Sequence, residues 1–167
     1  MTTLTEGNLQ IIFPAAAKAR KFDDASHGLS HCMKAVDFIA ELKDRYFFIE
    51  FKDPHKPGVP QKERDEYVKK FLAGSIDADF KYKCRDTFLY EWAAERVGKP
   101  IHYLVLVAID TLTDAELLAR TDDLKRKIPL SGPASGVWKR SFIAGCAVFN
   151  IAAWNKHMSA YPVSRMP

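Results

Sequence analysis

Two stretches of this chain carry residues able to do chemistry together. VDF at Val36–Phe38 supplies the carboxylate of Asp37, and EFK at Glu50–Lys52 supplies the carboxylate of Glu50 and the ammonium of Lys52. Carboxylate oxygens with water are the ligands that magnesium prefers. A divalent ion between the two would cancel their repulsion. It would also polarise a phosphoryl oxygen and make a bound water more acidic. A lysine beside that water could orient the nucleophile, exchange a proton if its pKa were depressed, or steady charge on a phosphate. These residue types suggest metal-dependent phosphodiester hydrolysis, provided that the fold puts all three on one face.

The local pattern predicts that it does. Val36, Phe38, Ala40 and Leu42 alternate with Asp37, Ile39 and Glu41, the period of a strand over residues 35–42. Residues 45–53, RYFFIEFKD, are dense in aromatic and β-branched types and predict a second strand. Only Lys43 and Asp44 lie between them, so a hairpin follows. A two-residue turn and a four-residue loop, Leu42–Arg45, give the same register, and Lys-Asp is a poor tight-turn dipeptide, which favours the loop. Phe38 then faces Ile49, Ala40 faces Phe47 and Val36 faces Phe51, apolar against apolar. On the other face Asp37 falls opposite Glu50, with Lys52 two residues further on. Cβ atoms so placed are roughly 4.5–5.5 Å apart. The competing reading is a solvated sheet face with Lys52 as a surface counter-charge. Ile39, Tyr46 and Phe48 share that face, however, which predicts that it is covered.

The remaining elements must carry this hairpin. Pro14 opens a predicted short helix over residues 15–21, while Leu9–Phe13 reads equally as a strand. After the proline-rich break from Pro54 to Pro60, a helix is predicted from Gln61 to Ala73, with Tyr67, Val68, Phe71 and Leu72 inward and Gly74 as its stop. A second follows over residues 77–97, on the series Phe80, Cys84, Phe88, Leu89, Trp92 and Ala93. IHYLVLVAID, residues 101–110, reads as a strand covered on both faces. Thr113 and Glu116 form a capping-box pattern for a helix through Ile128, with Leu117, Leu118, Leu124 and Ile128 inward. Residues 142–151 read as a last strand, and residues 152–167 give no clear signal. Strand–helix–strand alternation implies parallel neighbours, and the hairpin makes the sheet mixed. The expected fold class is α/β, three-layer, with a central mixed β-sheet flanked by helices, in a single domain over residues 1–167.

The segments around Asp37 and Glu50–Lys52 resemble the D…(E/D)xK signature of the PD-(D/E)XK, or restriction-endonuclease-like, nuclease superfamily. The resemblance runs from about Lys34 to Ile151. It implies a core of helix, three strands, helix and strand, mapped onto 14–21, 35–42, 45–53, 101–110, 114–128 and 142–151, with residues 61–97 as a helical insertion. It implies Asp37 and Glu50 as metal ligands, helped by the Phe51 carbonyl, with Lys52 as the catalytic lysine and Mg2+ or Mn2+ as the metal. Val36 stands where the signature has proline. An acidic residue on the first helix is common in such nucleases; Asp23 and Asp24 lie just after the segment that would supply it.

Composition agrees with a globular domain. The chain has 167 residues, 47% of them hydrophobic, and a net charge of +4 from 25 basic and 21 acidic residues. That mild excess permits nucleic acid as a partner without requiring it. Lys81, Lys83 and Arg85, on the inserted helices, are candidate nucleic-acid contacts, although each alone reads as a solvated helix residue. His27, His31 and Cys32 are a weak zinc pattern with no partner cluster. The scattered Cys32, Cys84 and Cys146, a poor leader signal and no membrane-length apolar run predict a cytoplasmic protein away from membranes. Trp92, Trp138 and Trp154 read as packing residues. The expectation is a metal-dependent endodeoxyribonuclease acting on DNA, with RNA as substrate and a homodimeric state left open. The alternatives are a nucleic-acid-binding or protein-interaction module that keeps the fold without turnover, and a nucleotide or phosphate-ester hydrolase.

Overall fold

The computed structural model describes residues 1–24 and 27–166. Among these, a five-stranded sheet holds β3 (Lys18–Lys21), β4 (Phe38–Glu41), β5 (Tyr46–Lys52), β6 (Ile101–Val107) and β7 (Gly145–Phe149), side by side in that order. The β3–β4 and β4–β5 pairs are antiparallel, and β5–β6 and β6–β7 are parallel, so the sheet is mixed as expected. The β4–β5 register has Phe38 against Ile49 and Ala40 against Phe47. The connection is the four-residue loop, closed by Leu42 N–H donating to the Arg45 carbonyl at 2.9 Å.

Each face of this sheet carries its own apolar core. Ile39, Phe48, Tyr103, Val105 and Val107 meet helices α1 (Gln61–Leu72), α2 (Asp77–Ala93) and α3 (Asp114–Lys127), which contribute Phe71, Phe80, Cys84, Leu117 and Leu124. Phe38, Ala40, Phe47, Ile49, Phe51 and Leu104 meet the opposite layer. That layer is a second sheet, β1 (Thr2–Glu6), β2 (Leu9–Phe13) and β8 (Val163–Arg165), together with helix α4 (Ile151–His157) and its buried Trp154. Three layers are present, but the third is mostly strand where helices were expected.

The helix expected over residues 15–21 is a correction. Leu9–Phe13 is strand β2, a turn follows in which Ala17 N–H donates to the Pro14 carbonyl, and the next segment is edge strand β3. Pairing with β4 satisfies the backbone of this segment and leaves Lys18, Arg20 and Lys21 at a sheet edge that basic side chains protect. Inward faces also shift. Leu72, Leu89, Trp92, Trp138 and Leu118 are exposed. The buried stripe of α2 is Asp77, Phe80, Cys84, Thr87 and Glu91, which keeps helical spacing through polar residues. The last strand ends at Phe149, because Asn150 caps α4 by accepting from Ala153 N–H at 2.8 Å.

Helix α2 is bound to the segment that leads into β4. The Thr87 hydroxyl accepts from Val36 N–H at 3.1 Å in a buried setting, and Asp86 accepts from Lys34 N–H at 2.9 Å. At the start of α2, Asp77 is buried against Arg120 and Lys127 of α3. Gly74, at φ +73, makes the preceding turn, and a Cβ there would press on the same Arg120–Asp77 pair. Replacing Thr87 by the isosteric valine leaves Val36 N–H buried without an acceptor. This should lower unfolding stability by about 1–3 kcal/mol, read as a lower urea midpoint at unchanged slope. A midpoint equal to the parent's would show that this clamp contributes nothing.

Candidate active site

The ladder of β4 stops one residue short of Asp37, and the Asp37 side chain takes over from it. Its Oδ2 accepts from Phe51 N–H at 2.6 Å. Its own carbonyl accepts from Phe22 N–H at 2.8 Å, so main chain holds it on both sides. Glu50 lies on the adjacent strand with no exposed surface, and Asp37 is 3% exposed. Lys52 Nζ stands 2.6 Å from Glu50 Oε1. A second ammonium arrives from α2: Lys83 Nζ is 2.9 Å from the same oxygen, 4.0 Å from Asp37 Oδ1 and 3.6 Å from Asp23 Oδ2. Glu50 Oε2 is buried and has no hydrogen-bond partner among the described residues; nor do the buried hydroxyls of Tyr67 and Tyr103.

Burial drives the electrostatics. It is the main reason the Asp37 carboxyl is pushed up to about 7, with the Glu50 charge adding to it and Lys83 and the Phe51 N–H opposing. Glu50 is likewise raised by burial, against Lys52 and Lys83. For Lys52, burial favours loss of the proton, but the Glu50 carboxylate outweighs it and the pKa lies above the ordinary lysine value. Lys52 is therefore a cation in this state and no ready base. The phenols of Tyr67 and Tyr103 are raised first by burial and then by the charge of Glu50, so both lie within its field.

Asp37, Glu50 and Lys52 thus come together as the hairpin register predicts. The Phe51 N–H points at Asp37, and in a strand the carbonyl of a residue faces the same way as its N–H. Lys81, Lys83 and Arg85 do not form one patch. Alternate helix residues are turned by about 200°, and Lys83 points at the carboxylates while Lys81 lies over the Tyr82 ring and Arg85 is exposed. The spacing of Lys83 carried a signal for this, three residues after Phe80 and four before Thr87, beside the buried stripe. Asp23 enters through Lys83, although no helix carries it. His27 accepts from Leu29 N–H and stacks on Phe22. Among the described residues, no group of three or more His, Cys, Asp or Glu side chains gathers as a metal site.

In comparisons with family models, with curated proteins and with solved structures, nothing matches this chain.

The raised carboxyl of Asp37 has a consequence for stability. Its folded pKa of about 7 lies above the roughly 3.9 of an unfolded aspartate. Between those values the folded state holds a proton that the unfolded chain has released. This contribution therefore weakens as pH rises towards 7 and levels off above it. Glu50, Lys83, Glu6 and the Phe51 N–H act on the group, and Asp37→Asn removes its titration while keeping an acceptor. The melting temperature of the parent relative to Asp37→Asn should fall between about pH 5 and pH 7.5. Parallel curves would mean that Asp37 does not titrate there.

Proposed function

We propose that this protein is a metal-dependent nuclease that hydrolyses phosphodiester bonds of DNA, on a restriction-endonuclease-like core that has lost its leading helix to a strand. The observation that carries the reading is the burial of Asp37 and Glu50 on one sheet face with the Lys52 ammonium on Glu50. The donor set suits Mg2+ or Mn2+. Both donors are carboxylates, Glu50 Oε2 lacks a hydrogen bond among the described residues, and the Phe51 carbonyl faces the Asp37 side. Two carboxylates are enough, because magnesium keeps several waters and completes its shell with substrate phosphate. When bound, the metal supplies charge for the phosphate and acidity for a water.

The side chains have separate tasks. Asp37 and Glu50 hold the cation, and Asp37 is fixed for this by its bond to Phe51 N–H. Lys52, which is protonated, orients the attacking water and stabilises negative charge on the phosphate. Lys81 and Arg85, on the outer sides of α2, are candidate contacts to the backbone of the nucleic acid.

One observation favours the second reading, a nucleic-acid-binding or protein-interaction module without turnover. Lys52 and Lys83 both neutralise Glu50 within 3 Å, so the cluster is electrically answered without a metal. Cleavage of labelled single- and double-stranded DNA and RNA, with Mg2+ or Mn2+ and with EDTA, separates the two. The parent should cut DNA with metal only. Lys52→Ala should lower the rate by at least about 100-fold with metal binding largely kept, and Lys52→Arg should recover little of it, because guanidinium differs in shape. Asp37→Ala should lose both metal and cleavage. Parent protein that binds nucleic acid and never cuts it establishes the module, and Lys52→Ala cutting at the parent rate overturns the role given to lysine.

A further inference from the structure

We infer that the Lys83 ammonium is a resident substitute for the divalent cation, holding Asp37 and Glu50 together in the metal-free protein and leaving them when a metal enters. The inference rests on the reading of Asp37 and Glu50 as metal ligands and concerns how that site is kept until it is loaded.

The position of Nζ is that of a shared counter-ion. It lies 2.9 Å from Glu50 Oε1, 4.0 Å from Asp37 Oδ1 and 3.6 Å from Asp23 Oδ2, on a side chain only 12% exposed. Lys52 differs in both respects. It comes from the same strand as Glu50, pairs at 2.6 Å with that carboxylate and is more exposed, so it can stay in place.

Charge argues that Lys83 cannot. With both carboxyls ionised, two carboxylates and two ammonium groups sum to zero. Adding a divalent ion with both lysines in place would leave two uncompensated positive charges in a buried cluster, whereas departure of one ammonium halves that excess. A cation shared by Asp37 and Glu50 would also need the space between the two carboxylates, which Lys83 Nζ already takes up, 2.9 Å from Glu50 Oε1 and 4.0 Å from Asp37 Oδ1.

The fold decides which part moves. Helix α2 is held to the segment before Asp37 by Thr87 on Val36 N–H and by Asp86 on Lys34 N–H. A lysine stem of four flexible carbons can rotate without the helix. Asp23, half exposed at 3.6 Å, offers the departing ammonium a carboxylate at the rim, and a substrate phosphate arriving there would offer another anion. On this account the α1–α2 insertion is a guard on the site as well as a cover for the sheet.

The test is Mn2+ titration by calorimetry on the parent, Lys83→Met, Lys83→Gln and Asp37→Asn, with lysine labelling read by mass spectrometry. Both Lys83 variants should bind Mn2+ at least about tenfold tighter than the parent, while melting lower in EDTA and gaining more on metal addition. In the parent, Lys83 should be shielded from reductive methylation in EDTA and become reactive with saturating Mn2+, a readout that needs no variant to fold. Equal or weaker Mn2+ binding by the Lys83 variants, or Lys83 labelling that metal does not change, overturns the inference. If the parent still binds Mn2+ and Asp37→Asn does not, only the substitute role is lost. If no form binds Mn2+, the metal reading falls with it.

Discussion

Two carboxylates buried side by side repel each other and have each given up water, a situation that costs several kcal/mol per ion unless positive charge answers it. Asp37 and Glu50 are in this situation, and much of the architecture is arranged around them. The hairpin register puts them on one face, because the opposite face is committed to Phe38, Ala40, Phe47 and Ile49. That face is roofed by α2, which must lie close enough for Lys83 to reach both groups. The contacts that set α2, Thr87 on Val36 N–H and Asp77 on Arg120, are themselves buried polar pairs. Position and charge compensation are thus secured by the same helix.

Lys52 illustrates how a pair can define a residue's chemical part. Removed from water alone, a lysine tends towards neutrality and could serve as a base. Beside Glu50 it is held as a cation, and its charge answers that carboxylate at 2.6 Å. Tyr67 and Tyr103 add buried hydroxyls within the field of Glu50 that have no partner among the described residues. Near Glu50, the described residues therefore leave buried hydrogen-bonding capacity unused.

The parts legible in the sequence are those whose partners lie nearby. The β4–β5 register could be read because apolar residues alternate on both sides of a four-residue loop, and α3 because Thr113 and Glu116 mark its start with reciprocal bonds. Edge strand β3 was not legible, since KARK has no apolar alternation and becomes a strand only against β4. The second sheet escaped for the same reason, as β8 is three residues long and is defined by pairing with β2. In α2, Leu89 and Trp92 suggested an inward face that they do not occupy, while the buried face runs through Asp77, Thr87 and Glu91. Hydrophobicity misled there because the helix is seated by polar pairs: Glu91 with Arg20 and Arg96, and Asp77 with Arg120. The site's central lysine was visible as a charge but not as a neighbour of the carboxylates.

The β2–β8 pairing joins Gln10 to Ser164, 154 residues along the chain. Closing so long a loop is slow relative to forming helices and hairpins. Until it closes, Leu9, Ile11 and Phe13 have no complete layer around them and β2 keeps an open edge, the kind of surface on which chains aggregate. Arg165, at the end of β8, then locks onto Asp53 directly after Lys52, at 2.5 Å. The underside of the early hairpin is thus completed only by the C-terminal strand, so the two ends of the chain are joined in one layer beneath the site.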